Sequence, residues 1–148
     1  MIPLNLPPFE HKVKKAEGKL WIFDVIRKKY VALIPEEWVR QHFIHLLTEK
    51  FHYPRSLIRI EGGLSYNQLQ KRTDIVVFDR NGKPWMVVEC KSPDIAVSEK
   101  TLFQASTYNS TLRAKYITVT NGLTHLFAGI DWENGTTSWL NDLPPFGQ

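Results

Sequence analysis

Two short apolar runs, residues 75–78 and 85–88, flank an Asn-Gly pair at Asn81 and Gly82. Neither run alternates with polar residues, so each reads as a strand covered on both faces. Asn-Gly is the strongest short hairpin signal, because a tight reversal needs positive φ. Residues 72–79 and 84–91 are therefore expected to pair around a two-residue turn in the middle of a covered sheet. A four-residue loop leaves the same register.

The flanking pattern supplies the other elements. Val39, Phe43, Leu46 and Leu47 recur at helical spacing, and Pro35 with Glu36 and Glu37 suits a helix N-terminus. The spacing predicts a helix over 35–51, stopped by the break at Tyr53 and Pro54. A strand over 57–64 and a polar loop over 65–72 follow. A second helix is expected over 97–112 with Ser98 as N-cap. Residues 115–120 and 123–129 form a second hairpin around Asn121-Gly122, and 136–140 form a last short strand. Upstream, 19–24 and 29–33 read as strands joined by a loose connection. The order predicts an α/β (α+β) fold, with a mixed central sheet flanked by helices. One domain is expected over 1–148: an arm at 1–17, a β-rich extension at 18–34, a core at 35–130, and a strand and tail at 131–148.

The central hairpin carries charges at its open end. In the expected register Asp74 lies opposite Glu89, with Cβ atoms roughly 4.5–5.5 Å apart on one face. Lys91, two residues on, shares that face. Facing carboxylates repel unless a cation lies between them. Mg²⁺ takes hard oxygen ligands and often only one or two carboxylates, so Asp74, Glu89 and the Cys90 backbone carbonyl form a candidate metal site. The alternative is a surface ion pair between Glu89 and Lys91, with Asp74 as a turn residue. Cys90 is expected to point away from both, into the core.

Composition narrows the class. The 148 residues are 43% hydrophobic and 23% charged, with five Trp, as expected of an ordered globular chain. No apolar run is long enough to span a membrane, and no secretory h-region is visible. A single cysteine fits a reducing, cytoplasmic setting. The net charge of +4 permits a polyanionic partner without requiring one. Trp21, Phe23 and Tyr30 of the extension are expected to pack on the core, with a second copy, as in a homodimer, as the other surface for them. His42 and His45 are three apart on the first helix, but no partner completes a zinc set.

Asp74, fourteen intervening residues, then Glu89-Cys90-Lys91 resembles the PD-(D/E)XK nuclease superfamily, with Thr73 where the family name has proline. The stretch "PEEWVRQ" at 35–41 resembles the first helix of the N-terminal nuclease domain of type I restriction enzyme R subunits. "QASTYN" at 104–109 is similar to the Gln-X-X-X-Tyr motif of the RecB-like branch, and "TNGL" at 120–123 fits a later hairpin of that domain. The resemblance implies a restriction-endonuclease-like core and Mg²⁺- or Mn²⁺-dependent phosphodiester hydrolysis. It implies Asp74 and Glu89 as metal ligands and Lys91 as the catalytic lysine. Glu37 would be a carboxylate near the metal, directly or through water, with Gln104 and Tyr108 assisting from the second helix. Gln104 and Tyr108, four apart, share a helix face.

The expected substrate is DNA, with RNA as the other polyanion. Arg40, Lys71 and Arg72 are candidate backbone contacts. The chain has no phosphate-binding glycine loop for ATP. It reads as a stand-alone relative or a fragment that works with separate motor or specificity subunits. A catalytically silent nucleic-acid-binding or assembly module is the competing expectation. A purely structural ion network is a third.

Overall fold

The computed structural model describes residues 1–61 and 74–147, with the side chain of Tyr108 outside that description. The expected strand beyond residue 61, the polar loop over 65–72, and Lys71, Arg72 and Thr73 lie outside the described residues.

Burial on both faces accounts for the apolar runs at 75–78 and 85–88. Strands β4 (Ile58–Ile60), β5 (Ile75–Phe78), β6 (Pro84–Cys90), β7 (Tyr116–Thr120), β8 (His125–Asp131) and β9 (Thr136–Leu140) form one six-stranded sheet in that order. All neighbours are antiparallel except β6 and β7, which run parallel across helix α2 (Glu99–Leu112). The fold is a mixed α+β sheet with β5 and β6 inside it. Alternate residues separate two cores. Ile75, Val77, Met86, Val88 and Cys90 pack with Val39, Phe43 and Ile44 of helix α1 (Pro35–His45). Val76, Val87, Ile117, Val119 and Ala128 pack with Leu102 and Ala105 of α2. Each fully buried side chain of this size contributes about 1.5–3 kcal/mol.

Local chemistry sets the element ends. Pro35 sits in the first turn of α1, ahead of Glu36 and Glu37, as expected. The helix tightens no further at its C-terminus; it widens into a π-turn over Leu46–Lys50, with the Phe51 N–H donating to the Leu46 carbonyl. Ser98 caps α2: its N–H donates to Thr101 Oγ1 at 2.8 Å. At the other end Arg113 takes a left-handed conformation, φ 58°.

The first hairpin turn differs from a two-residue reversal. The Asp79 N–H bonds the Lys83 carbonyl, and the Gly82 N–H bonds the Asp79 carbonyl. Three residues, 80–82, form the loop, and only Gly82 among them has positive φ, at 79°. The cause is Asp79, whose Oδ1 accepts from the Asn81 and Lys83 amides and stabilises an ordinary turn. A bulge between Val77 and Phe78 absorbs the odd residue, and Ile75 pairs with Val88 as the sequence register requires. The second hairpin forms, but with a longer loop than the expected Asn121-Gly122 reversal: Thr120 pairs with His125, and β8 starts at His125 because Asn121 Oδ1 accepts from the Leu123 and Thr124 amides and holds a wider turn.

The N-terminal extension is a separate three-stranded antiparallel sheet: β1 (Val13–Ala16), β2 (Lys19–Asp24) and β3 (Lys29–Ala32). Strand β1 falls inside the expected arm. Its residues, VKKA, are exposed and carry no apolar alternation, so no sequence pattern marks them. Residues before β1 lie on α1: the Trp38 Nε1–H donates to the Ile2 carbonyl, and Phe9 stacks on the His45 ring at 4.1 Å.

Phe9, Trp38, His11 and His45 surround His42, whose Nδ1–H donates to the Trp38 carbonyl. Burial holds its pKa below the ordinary 6.5, with the neighbouring imidazoles adding to the effect. A depressed histidine stabilises the fold above its unfolded pKa, and that stability is lost as pH falls through the folded value. The His42 contribution to the urea midpoint should therefore fall as pH drops below about 6.5. In His42→Phe the decline should be smaller; an identical slope would show that His42 is not the group responsible.

Candidate functional site

The functional candidates gather where β5 begins and β6 ends. The ladder stops at Ile75 and Val88; Asp74 does not continue it. Instead the Asp74 N–H donates to the Val88 carbonyl at 3.1 Å, and Asp74 Oδ2 accepts from the Cys90 N–H at 2.5 Å. Asp74 is thus fixed beside Glu89 by the Cys90 amide, rather than by a direct cross-strand pair on one face. By alternation Glu89 and Lys91 follow Val87, which packs toward α2. The Asp74 carboxylate is reached from the other side, by Arg40 of α1. Lys91 Nζ lies 3.4 Å from Glu89 Oε1, with the Lys91 side chain 18% exposed and that of Glu89 6%.

Arg40 is not an exposed backbone-binding cation, contrary to the sequence expectation. It is buried, and its guanidinium joins Glu37 Oε1 at 2.6 Å, Asp74 Oδ1 at 2.7 Å and Glu36 Oε1 at 2.9 Å. Glu37 is also buried. Its other oxygen accepts from Arg27 Nη2 at 2.9 Å and Gln41 Nε2 at 2.8 Å. Asp24, fully buried at the end of β2, accepts from Arg27 Nε, Gln41 Nε2 and the amides of Ile26 and Arg27. A continuous polar chain therefore runs from the N-terminal sheet through α1 to the sheet end that carries Asp74.

Sequence reasoning missed Asp24, Arg27 and Gln41. A signal existed: Glu37, Arg40, Gln41 and Ile44 share one helical face at i, i+3, i+4 and i+7, and Ile44 is in the core. Polar residues on a core-facing stripe need partners there. Gln104 is exposed on α2, and Tyr108 sits one turn later on the same helix.

The electrostatics follow from burial. Desolvation pushes the Asp74 carboxyl up to about 6, against the lowering by Arg40 and by the Cys90 amide. Burial disfavours the Arg40 charge, but Asp74 and Glu37 outweigh it and hold the guanidinium protonated. The two shifts are compatible because one arginine is shared among three carboxylates. Asp24 is held below the ordinary carboxylate range: burial raises it, and the hydrogen bonds from Arg27 and Gln41 overcome that rise. The Cys90 thiol is pushed well up by burial, so it stays protonated and is no nucleophile.

Among the described residues, Asp24, Glu36, Glu37, Asp74 and Glu89 face Arg27, Arg40 and Lys91 along this chain of contacts. Five acids against three bases leave these residues with a net negative charge. No cluster of three or more His, Cys, Asp or Glu side chains converges to hold a metal among the described residues. That includes His42 and His45, which bond Trp38 and Glu49 instead.

A family model of the type I restriction enzyme R protein N terminus (HSDR_N) matches residues 35–144. The chain belongs to that family. Among solved structures it is similar to a fragment from Vibrio vulnificus YJ016 described as an HsdR subunit of a type I restriction enzyme. The two are 28% identical, with 59% of this chain and 16% of that one covered, at a TM-score of 0.39. The chain thus spans about a sixth of that protein's length. No curated protein matches.

Proposed function

We propose that this chain is a metal-dependent deoxyribonuclease of the PD-(D/E)XK superfamily, RecB-like branch, hydrolysing DNA phosphodiester bonds in the cytoplasm. Family membership supports the class. The observation that carries the site is the Cys90 amide seated on Asp74, which brings an acid, an acid and a lysine to one strand end. Asp74, Glu89 and the Cys90 carbonyl would hold Mg²⁺ or Mn²⁺, with Glu37 near it directly or through water. A bound ion would supply Lewis acidity to a phosphate oxygen and an acidified water.

The chain's own residues do the rest. Arg40 keeps Glu36 and Glu37 when it gives up Asp74 Oδ1, so a cation can enter without stranding the guanidinium. Lys91, tethered to Glu89, offers its ammonium to the charge that develops on the phosphate. Gln104 and Tyr108 would orient Lys91 or a phosphate oxygen from α2, and Lys71 and Arg72 would contact the backbone. Motor and specificity subunits, or a second copy, would be its partners.

The test is cleavage of plasmid and single-stranded DNA with Mg²⁺ or Mn²⁺, stopped by EDTA and by Asp74→Ala. A second reading has its own observation. Arg40 already neutralises Asp74 and Glu37, as a binding or assembly module with a structural ion network would require. DNA left intact under every condition would favour it.

A further inference from the structure

The outer face of the N-terminal sheet is built differently from its inner face. Register and alternation place Lys12, Phe23 and Tyr30 in one row across the sheet, and Lys14, Trp21 and Ala32 in the next. Lys19, opposite Ala16, extends the same face. The other face carries Ile22 and Asp24, both fully buried. Trp21, Phe23 and Tyr30 are not part of either hydrophobic core; they are partly buried on the outer face. Phe23 lines a cavity with Phe9 and His45 beside α1, whereas Trp21 and Tyr30 join neither core among the described residues.

Lysines lie across these rings. Lys14 Nζ is 4.2 Å from the Tyr30 centroid, and Lys12 Nζ is 5.7 Å from that of Phe23. Both lysines are exposed, so their ammonium groups can swing from ring to phosphate. Charge is concentrated here as well. Residues 11–32 hold seven Lys and Arg against two acids, a net of +5, while the whole chain is +4. Of these, Lys12, Lys14 and Lys19 lie on the outer face; Lys15 and Lys29 lie on the other face, and Arg27 pairs with Asp24 and Glu37. Aromatic rings interleaved with mobile cations match a strand of unstacked bases with its phosphates. Duplex DNA, whose bases are already stacked, would leave the rings unused.

We infer that the outer face of the β1–β3 sheet is a binding platform for single-stranded DNA, with Trp21, Phe23 and Tyr30 stacking bases and Lys12, Lys14 and Lys19 holding phosphates. This deepens the nucleic-acid reading above by adding a binding surface outside the Asp74 site. The polar chain Asp24–Arg27–Glu37 ties the same sheet to α1, so bound strand and candidate site share one rigid frame.

Fluorescence anisotropy in EDTA tests it, with a labelled oligothymidylate of about 15 nucleotides as probe. Nothing is cut in EDTA, so failure of the cleavage reading leaves this measurement intact. Trp21→Ala should weaken binding about fivefold or more, and Trp21→Phe should restore most of it. Lys12→Ala with Lys14→Ala should reduce the slope of log affinity against log salt by roughly 0.7 per lysine removed. The lysine pair is exposed, so its variant reports even where Trp21→Ala fails to fold. A duplex of the same length should bind more weakly. Unchanged binding in the lysine variant, duplex bound as tightly as single strand, or binding of oligouridylate alone would overturn the proposal.

Discussion

Lys91→Ala is expected to slow Mg²⁺-supported DNA cleavage by about a hundredfold or more while leaving the fold in place. Removing one preorganised positive or hydrogen-bonding group from a developing oxyanion costs about 10²–10³ in rate. Lys91 Nζ lies 3.4 Å from Glu89 Oε1 at the end of β6, and part of the Lys91 side chain faces solvent. Its ion pair is long, at 3.4 Å, and partly exposed, so the pair adds little to stability. A change of about 1 kcal/mol in a chain of this size shifts Tm by only about 2–4 °C. Initial-rate assays beside thermal melts separate the two effects. Undiminished cleavage by folded Lys91→Ala would remove this residue from the chemistry.

Arg40→Met should have the opposite profile, with a large loss of stability. The methionine keeps the apolar stem but leaves Asp74 and Glu37 buried without their shared guanidinium. Removing one partner from a buried ion pair costs about 3–5 kcal/mol, or a Tm loss of about 10 °C in a chain of this length. The pH dependence has a definite sign. The Asp74 carboxyl already sits raised to about 6 by burial, and losing Arg40 raises it further. A carboxyl raised in the folded state stabilises it below the unfolded pKa, and that stability is lost as pH rises through the folded value. Urea unfolding should therefore show the variant's deficit shrinking as pH falls from 7 toward 5. A deficit that grows with acidity would mean that Arg40 packs without pairing.

The sequence carried the sheet further than it carried the site. Continuous apolar runs at 75–78 and 85–88 pointed to central, doubly covered strands, and burial on α1 and α2 is the physical reason they are continuous. Pro35 and Ser98 marked the starts of both helices because helix ends have local chemistry. Strand β1 was invisible: its lysines face solvent, and its pairing depends on β2 alone. The hairpin turn departs from the Asn81-Gly82 pattern because the Asp79 side chain selects it. Arg40 looked like a free cation because charge on a helix reveals a partner only three or four residues away. Asp74 is 34 positions distant, and only the fold brings it to Arg40. The expected pairing of Asp74 with Glu89 was off for a related reason. The ladder ends one residue early, and the Cys90 amide takes over.

The proposed two-carboxylate metal site is tested by calorimetric titration of Mn²⁺ into the folded protein, beside Asp74→Ala and Glu89→Ala variants whose melts show them folded. The wild type should give saturable heat near one ion per chain, and both variants should lose it. Equal, negligible heats in all three proteins, or full binding in either variant, would contradict that site.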